Sequence, residues 1–159
     1  MSDDRKAMKT GVLIAAIVIV LRIVLEQAGA PEGINNIFGV SWLYLILPVF
    51  FALGIREREC ARPYGVLLKD VFLYAVYTRI MVMITYMLAY FLRWSPPRFE
   101  VSRGGNVGDH IGAGRGLVLI PVRNALFWIV MAVFVGMIIG SVVLLLKRRK
   151  TTPAAGTQP

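Results

Sequence analysis

"ALFWIVMAVFVGMIIGSVVLLLKRRK", residues 125–150, carries no charged side chain from Ala125 to Leu146 and then four basic residues in a row. A helix needs about 20 mainly apolar residues to cross ~30 Å of hydrocarbon. A membrane β-strand would instead alternate polar and apolar positions, and this stretch does not. It therefore predicts a transmembrane helix ending in a basic stop. Three other runs fit the same template: Gly11–Leu21 extended through Arg22 to Ala28, Val40–Ile55 extended back to Ile37, and Val71–Leu92. The chain is 57% hydrophobic, above the roughly 45–50% usual for soluble domains even with glycine counted. The expected fold is an all-α, polytopic bundle of four transmembrane helices at about 10–28, 37–55, 66–92 and 121–146. A polar, mobile segment 1–9 precedes it, and a basic, disordered tail 147–159 follows.

Charge placement orients this bundle. The net charge of +9 invites a nucleic-acid reading, but its distribution argues for a membrane and against nucleic acid. Arg5, Lys6 and Lys9 precede the first helix. Arg56, Arg58, Arg62 and Lys69 flank the second connection, and Lys147, Arg148, Arg149 and Lys150 follow the fourth helix. These eleven of eighteen basic residues share one side of an up-and-down bundle. The positive-inside rule then puts both termini in the cytoplasm. The third connection is an exception, with Arg93, Arg98, Arg103 and Arg115, and Arg123 follows at the start of the fourth helix. Trp42, Trp94 and Trp128 fall near the outer ends of their helices, as expected of an interfacial belt. A multi-pass protein of the plasma membrane is expected, with a bacterial inner membrane as its setting.

Residues 1–30 have a basic start, an apolar core and small residues at Ala28 and Ala30, the outline of a signal peptide. Pro31 after that site and Arg22 within the core favour a retained anchor helix. Cys60 is the sole cysteine, so an intrachain disulfide and a thiolate metal cluster are excluded.

The third connection contains "GGNVGDHIGAGRG", residues 104–116, with six of the fifteen glycines. Its glycine spacing is loosely that of a phosphate-binding turn. Such turns need a strand before and a helix directly after, and Leu117–Ile120 intervene here. The expected role is a flexible extracytoplasmic connector, with "LVLI" lying at the interface or over the helices. Arg103, Asp109, His110 and Arg115 are its candidate functional residues. His110 is the only histidine, which excludes a bis-histidine haem and multi-histidine metal sites. No cofactor or metal is expected. Ser102, Asp109 and His110 supply the types of a catalytic triad, but a triad is recognised by geometry.

Ionisable residues within the spans point to function, because they are costly in lipid and face the bundle or a wet cavity. Arg22 and Glu26 lie one turn apart, so they are expected to pair. Arg79 sits mid-helix with no partner on its own face, its side chain leaning toward the cytoplasmic end. With Arg123 and Asn124 these residues make a candidate anion- or lipid-binding set. Ala132, Gly136 and Gly140, spaced by four, form a small-residue stripe suited to close helix packing within the chain or with a partner.

Three functions remain open. The first is a non-catalytic subunit or scaffold that binds other membrane components, as a homo-oligomer or within a larger complex. The second is a lipid or small-anion binding or transport protein, its partners membrane lipids with anionic headgroups. The third is a membrane enzyme using Asp109, His110 or Glu100 under the outer loop.

Overall fold

Four long apolar helices run up and down to form the molecule, a computed structural model that describes residues 2–58 and 60–148. The elements are α1 (Ser2–Gln27), α2 (Glu32–Ile37), a 3-10 turn (Val40–Trp42), α3 (Leu43–Glu57) and α4 (Pro63–Leu92). Two 3-10 turns follow (Pro97–Phe99 and Val101–Arg103), then a π-helical segment (Gly114–Leu119) and α5 (Ile120–Arg148). No β-strand occurs among the described residues. Four stretches are long and apolar enough to cross a membrane: Lys6–Gln27, Glu32–Glu57, Pro63–Leu92 and Gly114–Leu146. The expected tail from residue 149 onward lies outside the described residues, as do the side chains of 2–5 and 147–148.

The element boundaries correct the sequence reading in three places. The first helix starts at Ser2 rather than Thr10, so residues 2–9 are helical. They contain no proline or glycine to interrupt the helix. The second span is not one helix over 37–55. It breaks at Phe38 and Gly39, where Gly39 is extended, and restarts through the 3-10 turn. The fourth helical path does not begin at Pro121. Gly114–Leu119 already coils in the π register, with the Ile120 N–H donating to the Arg115 carbonyl.

Backbone chemistry explains the stops. Gly29 takes a left-handed φ of 77°, with Gly29 N–H donating to the Glu26 carbonyl (3.2 Å) and Ala30 N–H to the Leu25 carbonyl (3.0 Å). This pairing satisfies the last carbonyls of α1. α4 ends the same way on Arg93, a non-glycine residue at φ 50°. Trp94 N–H returns to the Ala89 carbonyl at 3.0 Å.

The core lies where α3, α4 and α5 meet, with α1 against α3 and α4. Tyr74 is at its centre, edge-on to Tyr44 (6.0 Å) and Phe51 (6.2 Å), with Leu47, Ile55, Leu67 and Val71 around it. The outward faces are as apolar as the core: Val130, Phe134 and Leu146 are each more than 60% exposed.

The small-residue stripe is used inside the chain. A Cβ at Gly136 would sit 2.7 Å from Val71 Cγ1 and 3.1 Å from Pro48 Cγ. One at Gly140 would sit 2.6 Å from Leu67 Cδ2. Ala132 is buried. Glycine at these positions lets α5 approach α3 and α4 closely, where dispersion accumulates. Gly136→Ile is accordingly expected to destabilise the fold by about 2–3 kcal/mol through overpacking, read as a lower unfolding midpoint in detergent. An unchanged midpoint would show that the α4–α5 approach can relax.

Candidate functional site: an arginine-lined cavity

Arg22, Arg79 and Arg98 line one cavity of about 170 Å³, together with Ile19, Val40, Ser41, Val82, Tyr86, Asn124 and Trp128. α1 delivers Arg22, and its Nε donates to Glu26 Oε1 at 2.8 Å across one helical turn. Glu26 is buried and serves a second cation: Arg98 Nε lies 3.1 Å from Glu26 Oε2. That second contact is an ion pair by distance without a well-directed hydrogen bond, since neither atom meets hydrogen-bond geometry with any partner. Burial pushes the Arg98 guanidinium down from its ordinary value, and the neighbouring Glu26 charge opposes the shift. An arginine nonetheless stays protonated at any physiological pH.

Arg79 is the least compensated charge. It is 5% exposed and lies between two rings, 5.0 Å from the Tyr44 centroid and 4.9 Å from that of Trp128. Its Nε and Nη2 have no hydrogen-bond partner among the described residues. Its side chain shares the cavity with Arg22, Arg98 and Asn124 from the loop end of the bundle. The aromatic faces explain this, because they attract a cation that cannot reach water. Three guanidinium groups against one carboxylate leave the cluster with an excess of two positive charges.

The loop brings Arg98 to the site. Pro96 and Pro97 set the turn, and Phe99 is fully buried against Tyr86 (5.2 Å) and Trp94 (5.5 Å). The glycine-rich stretch is no slack connector. Gly105 N–H donates to the Glu100 carbonyl (2.8 Å), Val107 N–H to Phe99 (2.7 Å) and Val101 N–H to Val107 (3.0 Å). Asn106, also fully buried, donates through Nδ2 to the carbonyls of Tyr86 (2.6 Å) and Gly116 (2.8 Å). The Tyr90 hydroxyl adds a bond to the Ile111 carbonyl at 2.9 Å. Gly116 is pressed against the Tyr90 ring so closely that a Cβ would overlap it. Gly114–Leu119 coil as helix instead of lying over the bundle, and Gly105 and Gly116 serve close packing.

The remaining sequence candidates are placed elsewhere. Asn124 reaches the cavity, but Arg123 is exposed and does not line it. Asp109, His110 and Arg115 are exposed. Ser102 Oγ donates to the Glu100 carboxylate at 3.2 Å, and no hydrogen bond joins Ser102, Asp109 and His110 among the described residues, so the triad types are not assembled. Arg103 pairs with Glu32 at 2.9 Å, with both side chains more than half exposed. Arg103→Ala is therefore expected to move the unfolding midpoint by no more than about 0.5 kcal/mol equivalent. A larger loss would mean that this pair holds α2 to the loop. No three His, Cys, Asp or Glu side chains converge as metal ligands among the described residues.

Arg98 and the two rings around Arg79 were not legible as site residues. Arg98 sits in "PPRF" with no periodicity to mark its direction; burial of the adjacent Phe99 turns it inward. Compared with family models, curated proteins and solved structures, the chain matches none.

Proposed function

We propose that the chain is a small integral membrane protein that binds an anion in the arginine cavity, through a phosphate or carboxylate group. The observation that carries this reading is Arg79: a buried guanidinium with unused donors, facing a space lined by two further arginines. Burying an ion without a counter-charge costs several kcal/mol, and a bound anion would offset that cost. The cavity volume of about 170 Å³ is below the roughly 300–1,000 Å³ of pockets that enclose a whole drug-sized ligand. It suits a charged headgroup or a small oxyanion.

Membrane insertion is part of this proposal, supported by the apolar outward faces. So is the orientation, with both termini in the cytoplasm of a plasma membrane. The loop end carries five arginines in sequence against eleven basic residues at the other end; of the five, Arg103 pairs with Glu32, and Arg98 shares Glu26 with Arg22. The excess of Lys and Arg at the basic end supports this orientation. The subunit reading has less support, because the stripe that suited a partner helix is filled by the chain's own α3 and α4.

Titration calorimetry of the purified protein with inorganic phosphate tests the proposal. Saturable binding is expected, and Arg22→Gln and Arg98→Gln should each weaken it about 10- to 100-fold, the worth of one charge-assisted hydrogen bond. Native mass spectrometry of the same proteins separates the sources. A phospholipid adduct present on the native chain and lost from Arg98→Gln identifies a lipid headgroup. Phosphate binding without an adduct identifies a soluble anion. Equal binding by all three proteins, or none by any, rules the proposal out.

A further inference from the structure

We infer that the anion is the head of an amphiphile, with one alkyl chain lying in the apolar groove between α3 and α5. The inference rests on the anion reading above and extends it to a ligand class, an anionic lipid. The groove has a volume of about 290 Å³, and its walls include Leu45, Met131, Ala132 and Val135. Ser41 and Trp128 line both this groove and the arginine cavity. Tyr44, whose ring lies under the Arg79 guanidinium, is also a groove wall. The charged and apolar spaces thus adjoin one another, sharing Ser41 and Trp128 as walls.

The direction fits an amphiphile. From Trp128 to Val135 the groove extends roughly 10 Å along α5, at 1.5 Å per residue. It runs away from the loop end, where Arg98 enters, and toward the middle of the bundle. A headgroup in the cavity would therefore send its chain down α5 into the apolar zone. A free oxyanion would leave this groove unused. A second, larger apolar groove of about 660 Å³ lies against α4 and α5, with Phe72, Phe134 and Ser141 among its walls. No charged residue lines it, so it has no head site and provides the control.

The test measures binding of inorganic, butyl, octyl and dodecyl phosphate to the purified protein. Affinity for the native chain is expected to rise about fourfold per methylene buried, until the groove is full. Met131→Trp fills the groove from its exposed wall, and Leu45→Trp fills it from the opposite wall; both residues lie outside the arginine cavity. Each variant should bind inorganic phosphate like the native chain and bind dodecyl phosphate about 100-fold more weakly than the native chain does. Phe134→Trp, in the other groove, should keep the full chain-length dependence. If inorganic phosphate binds but chain-length dependence is the same in every protein, or is blunted equally by Phe134→Trp, the groove inference fails while the anion reading stands. If inorganic phosphate does not bind the native chain, both fail.

Discussion

Arg79→Met is expected to raise the unfolding temperature of the anion-free protein. Two effects compete. The substitution forfeits two cation–π contacts, with Tyr44 and Trp128, each worth about 0.5–2 kcal/mol. It also removes an ion buried to 5% exposure with Nε and Nη2 unsatisfied. Desolvating such an ion costs several kcal/mol, and replacing buried charge with well-packed apolar groups is often stabilising by about 1–4 kcal/mol. Desolvation wins, because Nε and Nη2 find no acceptor to replace water. For a chain of this size about 1 kcal/mol corresponds to roughly 2–4 °C, so a rise of about 5–10 °C in detergent is expected. Added phosphate should then raise the native midpoint by mass action and leave that of Arg79→Met unmoved. A variant less stable than the native chain without anion would show that Arg79 is a satisfied structural group, and would remove the main support for the anion site.

The second large effect concerns the loop. Pro121 has no N–H, and in the π register that N–H would have returned to Gly116, five residues back. Asn106 Nδ2 supplies the missing donor at 2.8 Å while also reaching the Tyr86 carbonyl at 2.6 Å. Asn106→Leu keeps the bulk but strands the Gly116 carbonyl and removes both bonds. A loss of about 2–4 kcal/mol is expected, a midpoint drop near 10 °C by the same conversion. Amide exchange should accelerate across 114–121. Pro121→Ala restores an N–H at the right position, so in the Asn106→Leu background it should recover about 1 kcal/mol or more. A double-mutant cycle reads this coupling directly. Strict additivity of the two changes would show that the Gly116 carbonyl is satisfied another way.

This loop also marks the limit of what the residues alone disclose. Glycine-rich composition is shared by slack connectors and by segments squeezed between helices, and only the partner surface separates them. Here the partners are Tyr90 against Gly116 and the buried Phe99 beside Gly105, more than a dozen positions away in one case and set by a turn in the other. Arg22 and Glu26 were legible as a pair because i,i+4 spacing on a helix is local geometry. Arg98 was not, because its closure onto Glu26 spans most of three helices. Arg79 was legible as a buried charge without a partner, but not as an ion held between two rings from α3 and α5.

Hydropathy and spacing were enough to determine four helices long and apolar enough to span a bilayer, because that property accumulates residue by residue along each helix. They also marked Glu26 and Arg79 as charges that burial would make costly, but not Arg98. Which of those charges face one another, whether the small-residue stripe is spent inside the chain, and whether a cavity opens beside an apolar groove were decided by tertiary packing alone. The reason is physical: a helix's own sequence sets which face is polar, but the rotation and offset that bring two faces together depend on side chains from every helix at once.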